Sequence, residues 1–231
     1  MATVVEPKHA AGMESDQLVA LEGIDWPGYV AMLRLRGERG LPRMTYLDGR
    51  LSLVSPSHRH ETLKKLLDYF IAATLAGLDV PFVPAGSTTL RRRGKRGGVE
   101  GDETYYIANY AGMRGKTAID LRVDPPPDLA VEVVVTHDAD DAVEVHRRLG
   151  VPEVWICAPG EVVMLVLGED GRYAPAAASA AVPGVTPAEV RDWLARPMDA
   201  GATAWMDEVR RWAAEVVAPR RGARRTPVDE T

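Results

Sequence analysis

The segment Asp128-Leu-Ala-Val-Glu-Val-Val-Val135 sets one carboxylate, Glu132, inside an apolar and mostly β-branched run. Burial strips an isolated carboxylate of its hydration, so such a residue needs a compensating partner or a task. An arginine partner, or an edge strand with one wet face, would make Glu132 structural. Ionisable groups forced into apolar surroundings concentrate at functional sites, and Glu132 is read here as functional. The second acid is Asp102, at the mouth of a short strand, Thr104-Tyr-Tyr-Ile-Ala108, with Glu100 and Glu103 beside it as competing candidates. Asp128 shares a strand face with Glu132, but its place after Pro125, Pro126 and Pro127 suits turn capping. His60 and Glu61 fall in the first turns of a helix, where His60 could act as a base or touch phosphate.

Two carboxylates in one cleft suit a hard divalent cation, Mg²⁺ or Mn²⁺, which takes oxygen ligands and shares its shell with water and phosphate. Such an ion lowers the pKa of bound water and so prepares it to cut a phosphodiester. Zinc chemistry has less support. The histidines at 9, 58, 60, 137 and 146 lack zinc spacing, and Cys157 is the only cysteine.

A chain of mixed helices and strands must position these groups. Asp25-Trp26-Pro27 opens a short helix that ends near Gly37, with the proline in its first turn. Met44 to Val54 reads as a hairpin, because Asp48-Gly49 accommodates the positive φ angles of a tight turn and alternating residues flank it. Ser55-Pro56 starts a helix with the serine as cap, and Leu63, Leu66, Leu67, Phe70 and Ile71 follow at helical spacing. Pro81 to Pro84 is expected as a strand, 91–98 as a basic loop, and 128–135 as a central strand buried on both faces. Residues 138–149 form a helix with Ala142, Val145 and Leu149 inward, followed by a strand at Val151 to Cys157 and a hairpin around Glu169-Asp170-Gly171. Thr186-Pro-Ala-Glu189 is a capping box, and Trp205, Val209, Trp212 and Val216 make the stripe that docks a last helix on the core.

The 231 residues carry 28 Lys and Arg against 33 Asp and Glu, a net charge of −5. A protein that coats a duplex usually shows a basic footprint; here the positive charge is local. Arg91, Arg92, Arg93, Lys95 and Arg96 form a cluster suited to clamping a phosphate backbone. Arg220, Arg221, Arg224 and Arg225 form another, read as a solvated tail. No secretory leader pattern and no apolar run of bilayer length is present, and the lone cysteine suits a reducing compartment. A cytoplasmic protein without membrane contact is therefore expected.

Several motifs occur in order: Tyr46-Leu-Asp-Gly-Arg-Leu51 followed by Ser55-Pro56 and His60-Glu61; Gly86-Ser-Thr-Thr-Leu90 followed by Glu100-Gly-Asp102-Glu-Thr-Tyr-Tyr-Ile107; Pro126-Pro-Asp-Leu-Ala-Val-Glu132-Val; and Gly150-Val-Pro-Glu-Val-Trp155. In these the chain resembles the Uma-type, DUF820-like restriction endonuclease family of the PD-(D/E)XK nuclease superfamily, over about residues 44–160, with Pro183-Gly-Val-Thr-Pro187 in the family's order. The resemblance implies an α/β fold, a restriction-endonuclease-like mixed β-sheet flanked by helices, here with an N-terminal β-hairpin and C-terminal helices. It implies a metal-dependent DNA endonuclease that often pairs as a homodimer, with Asp102 and Glu132 as metal ligands and His60 or Glu61 in an accessory role.

The chain also departs from the pattern. Gly101 stands where the family has proline, and Val134 stands where the E-x-K lysine would orient water and stabilise developing charge. Some relatives draw that lysine from the next helix, and Ala142 stands there instead. His146, Arg147, Arg148, Lys64 and Lys65 are the substitutes to consider. The alternative function is a catalytically degenerate module that binds nucleic acid or regulates. Residues 1–20 are expected as a flexible arm, 21–217 as one domain and 218–231 as a basic flexible tail. An internal arginine neutralising both acids would leave only the architecture standing.

Overall fold

The structure, a computed structural model, describes residues 15–223. In chain order the elements are β1 (Gln17–Leu21), α1 (Trp26–Arg36), β2 (Arg43–Leu47), β3 (Arg50–Ser55), α2 (His58–Gly77), β4 (Val83–Pro84), β5 (Thr89–Arg92), β6 (Gly97–Glu100), β7 (Glu103–Tyr106), α3 (Tyr110–Met113), β8 (Leu129–Val133), α4 (Asp140–Leu149), β9 (Glu153–Ala158), β10 (Glu161–Leu167), β11 (Tyr173–Pro175), α5 (Pro187–Leu194), α6 (Gly201–Trp212) and α7 (Ala218–Ala223). They build two sheets, a five-stranded one ordered β1-β3-β2-β6-β5 and a six-stranded one ordered β11-β10-β9-β8-β7-β4. The second sheet is mixed, with β8 and β9 parallel and its other neighbours antiparallel. This is the α/β architecture with helices flanking mixed strands. The early hairpin β2–β3 lies in the five-stranded sheet, between β1 and β6.

The chain passes from the first sheet to the second between β6 and β7, so Asp102 lies at the crossing. α2, α5 and α6 cover the second sheet around Phe70, Trp155, Trp193 and Trp205. α1 closes one part of the first sheet around Tyr29, Tyr46 and Leu51, and α4 another through Ala142, Val145 and Leu149. Gly77 lets α2 and α6 approach closely, since a Cβ there would meet the Arg210 carbonyl and Ala213.

Most local expectations hold for the stated reasons. The Asp25 side chain accepts from Gly28 N and caps α1, which ends at Gly37 with φ 64°. Asp48 and Gly49 turn the hairpin at φ 49° and 106°, and both halves of the Thr186–Glu189 capping box form. Others need correction. The α2 cap is Ser57, not Ser55, which stays in β3. The expected loop 91–98 is largely a hairpin, β5 and β6 joined by a single 3-10 turn over Arg93–Lys95. Gln17 to Ala20, expected within a loose arm, and Leu21 after them pair along β3 from Ser55 to Leu51. Residues 218–223, expected within a flexible tail, are helical, and Arg220 Nη1 lies 2.8 Å from Glu189 Oε1. The rest of both termini, with Arg224 and Arg225, lies outside the described residues. Trp205 and Val209 dock as expected, but Val216 is exposed and Val217 buried. Residues 213–217 form a π-turn, which is wider than an α-turn and rotates the stripe by one position.

No helix among the described residues is long and apolar enough to cross a membrane.

Candidate metal centre and nucleic-acid groove

Glu132 sits in β8, between β7 and β9, so it is not on a wet edge. Asp102 immediately precedes β7. The β7–β8 ladder runs to Glu103 opposite Val131. One step further would set Asp102 opposite Glu132, and directly opposed residues share a sheet face. Both acids are buried, and both line one cavity of about 90 Å³ together with Arg43, His60, His137 and Ala142.

Each carboxylate is held by its own partners. Asp102 Oδ2 accepts from Val133 N at 2.7 Å, which ties it to the residue after Glu132. Asp102 Oδ1 lies 2.8 Å from His60 Nε2 and is ion-paired with Arg43. Glu132 Oε1 lies 2.6 Å from Nε2 of His146, a fully buried residue of α4. Gly101 makes room for this pair. A Cβ there would lie 2.9 Å from Glu132 Oε1 and 3.4 Å from His146 Nε2. The missing proline and the His146 partner are thus two sides of one packing arrangement.

His60 stands between two carboxylates, with Nδ1 3.2 Å from Asp16 Oδ2 and Nε2 facing Asp102. Burial holds its pKa below the ordinary imidazole value, outweighing the charge and hydrogen bond of Asp16 that raise it. Asp16 also accepts from Ser57 N at 2.7 Å and lies 3.3 Å from His137 Nδ1. Burial pushes the Asp16 pKa up, yet the hydrogen bonds from Ser57 and the neighbouring His60 bring it below the usual carboxylate range. Glu61 does not reach Asp102. It is half-exposed and bonds Arg43 Nη2 at 2.6 Å.

The competing acids resolve by their partners. Glu100 is saturated by Arg36, Met44 N and Thr89 Oγ1. Glu103 faces Lys64 Nζ at 3.6 Å, and burial raises its pKa. Asp128 caps the turn by accepting from Ile107 N at 2.7 Å and from the backbone and side chain of Asn109 at 3.0 and 2.7 Å.

No lysine lines the cavity. Val134 lies outside its lining and donates its N–H to Cys157 O at 2.9 Å. Ala142 does face the cavity. Arg147 and Arg148 are engaged with Glu144, and Lys65 with Asp68. Of the considered substitutes, only His146 touches an acid of the site. The buried cation at the site is Arg43, on the β2 face that also sends Thr45 into the cavity.

Arg43 also lines a second, larger groove of about 1040 Å³, where seven arginines stand against Glu38, Glu100 and Asp120. Arg91, Arg92 and Arg93 line it, as does Arg39 from the loop after α1. These four are exposed and make no ion pair among the described residues. Lys95 and Arg96 do not line the groove, and Arg96 Nε lies 3.1 Å from Asp48.

Among the described residues no three His, Cys, Asp or Glu side chains gather to hold a metal ion. Two carboxylates suffice for Mg²⁺, which keeps several waters and takes its other ligands from phosphate. Each carboxylate oxygen accepts about two hydrogen bonds. Asp102 Oδ2 therefore keeps a free lone pair beside its bond to Val133 N, and Glu132 Oε2 has no partner among the described residues. The donor set fits a hard cation at these two points. Of the two candidate ligands Arg43 reaches Asp102 and not Glu132, so the acids are not both neutralised by arginine.

Residues 26–196 match the protein family Uma2, described as "Putative restriction endonuclease". Among solved structures the chain is similar to one described as a "putative nuclease belonging to DUF820" from Anabaena variabilis. The TM-score is 0.50 at 12% identity, with 66% of this chain and 92% of that chain covered. At that identity the likeness speaks for the fold. No curated protein matches the chain.

Proposed function

The chain belongs to the Uma2 family, and on that premise we propose that it hydrolyses DNA phosphodiesters with a divalent cation held by Asp102 and Glu132. The observation that carries this reading is the opening of two buried acids from adjacent strands into one cavity, beside a groove rich in unpaired arginines. Mg²⁺ or Mn²⁺ bound there supplies a Lewis acid for the phosphate and lowers the pKa of a water. The protein supplies the rest. Val133 N–H and His60 fix the Asp102 carboxylate, and His146 fixes Glu132. Arg39, Arg91, Arg92 and Arg93 hold backbone phosphates, contacts that position a strand without reading its sequence.

A second reading, a module that binds nucleic acid without cutting it, is favoured by two features: no lysine lines the cavity, and Arg43 pairs with Asp102. Cleavage of supercoiled plasmid in Mn²⁺, by wild type beside Asp102→Asn and Glu132→Gln, separates the two. Nicking by wild type that both variants lose supports hydrolysis at this site. Equal nicking in all three removes the ligand assignment. Salt-sensitive DNA retention with no nicking in any of them favours the binding module.

A further inference from the structure

Arg43 stands at the wall between the two cavities and lines both. Its guanidinium is shared three ways. Nη1 pairs with Asp102 Oδ1 and lies 3.2 Å from His60 Nε2, and Nη2 bonds Glu61 Oε1 at 2.6 Å. It is thus the ion-pair partner of the one candidate ligand whose free oxygen capacity is limited. Oδ1 is taken by His60 and Arg43, and Oδ2 is partly taken by Val133 N. A guanidinium and a divalent cation repel at such range, so both cannot use Asp102 fully. Arg43 also lines the arginine groove, in which a phosphate backbone would lie, and planar guanidinium groups bind phosphate in bidentate fashion.

We propose that Arg43 is a resident counter-ion of Asp102 that must leave the carboxylate before a divalent cation can bind it fully, and that a nucleic-acid phosphate in the arginine groove draws it off. Cation and substrate would then bind cooperatively, and the site would hold little metal in the absence of nucleic acid. This rests on Asp102 and Glu132 being the metal ligands. The coupling is reciprocal, as it must be between two binding equilibria.

The test is Mn²⁺ binding, counted by the electron paramagnetic resonance of the free ion, for wild type, Arg43→Gln, Arg43→Lys and Glu132→Gln. Removing the charge in Arg43→Gln is expected to tighten Mn²⁺ binding by about tenfold or more, within the usual range of coupling between sites. Arg43→Lys keeps the charge and is expected to stay within roughly threefold of wild type by the same measure. A short DNA duplex, added in the cold, is expected to tighten Mn²⁺ binding by wild type and to change that of Arg43→Gln much less.

If wild type and Arg43→Gln bind Mn²⁺ alike while Glu132→Gln loses it, the ligand assignment survives and the counter-ion role falls. If none of the proteins binds Mn²⁺, both fall. Thermal melts cover the case in which losing Arg43 destabilises the fold, because a ligand specific to the native state raises its melting temperature. Mn²⁺ should restore a cooperative melt to Arg43→Gln if the ion takes the place of the guanidinium. It should fail to do so if Arg43 is structural only.

Discussion

Replacing Glu100 with alanine should damage the fold rather than the chemistry, although Glu100 lies two residues from Asp102. Its side chain is 4% exposed and that of its partner Arg36 is 12% exposed. The glutamate accepts both Arg36 Nη atoms, Met44 N at 2.9 Å and Thr89 Oγ1 at 2.5 Å. Removing it leaves a largely desolvated guanidinium with Pro42 O as its remaining acceptor among the described residues, and the buried Met44 N–H without the acceptor it had. Breaking one partner of a buried ion pair costs about 3–5 kcal/mol. For a chain of this size that lowers the melting temperature by about 6–20 °C, at roughly 2–4 °C per kcal/mol. Urea unfolding followed by tryptophan fluorescence measures the loss, with the slope of the transition checked for constancy. Arg36→Met in the Glu100→Ala background should recover about 2 kcal/mol or more, because no charge is then left buried alone. A loss below about 1 kcal/mol in Glu100→Ala, or no recovery in the double variant, would refute the assignment of Glu100 as the structural partner of Arg36.

Gly101→Ala would push a methyl group into the space between Glu132 Oε1 and His146 Nε2. Plasmid nicking should fall about 10²-fold, the usual effect of displacing a reacting group by an ångström, while the melting temperature barely moves. Ala142→Lys places an ammonium in the cavity where the E-x-K cation is missing. Nicking in Mn²⁺ should rise about tenfold or more, given what one charge-stabilising donor contributes; an unchanged rate in a folded variant would show that no cation is lacking. Glu144 pairs with Arg147 and Arg148 within α4, and its pKa is held at about 2, first by the hydrogen bond from Arg147 and then by that from Arg148. A depressed folded-state pKa means that its stabilisation is complete above the ordinary glutamate range and is lost as pH falls towards 2. Melts of Glu144→Gln and wild type should therefore differ at pH 6 and converge in acid, whereas a gap independent of pH would contradict this.

Local chemistry made much of this structure legible in advance. Asp25, Asp48-Gly49 and the Thr186–Glu189 box act through residues near them in sequence, so their signals are self-contained. Glu132 stood out because one carboxylate in an apolar strand has few explanations, and β8 does carry it buried between two strands. The partners were harder to see. Arg43 reaches Asp102 across the junction of two sheets, and its one sequence signal is the alternation that sets it on the same face of β2 as Thr45. Asp16 lies just ahead of β1, in a segment whose place near the start of the chain put it within the expected arm, yet Gln17 to Leu21 follow β3 in register. His146 could be considered only as a stand-in for lysine, because its contact with Glu132 depends on how α4 folds back over the crossing between β6 and β7. The Val216 to Val217 shift has a similar origin, since a π-turn leaves no mark in a helical stripe until its geometry is known.

The most direct measurement is a crystal of the protein in complex with a short, cleavage-resistant DNA duplex, soaked in Mn²⁺ and examined by anomalous scattering. A single peak about 2 Å from an oxygen of Asp102 and an oxygen of Glu132, with the Arg43 guanidinium moved off Asp102, is the expected result. A cavity without a peak at saturating Mn²⁺, with Arg43 still seated on Asp102, would contradict it.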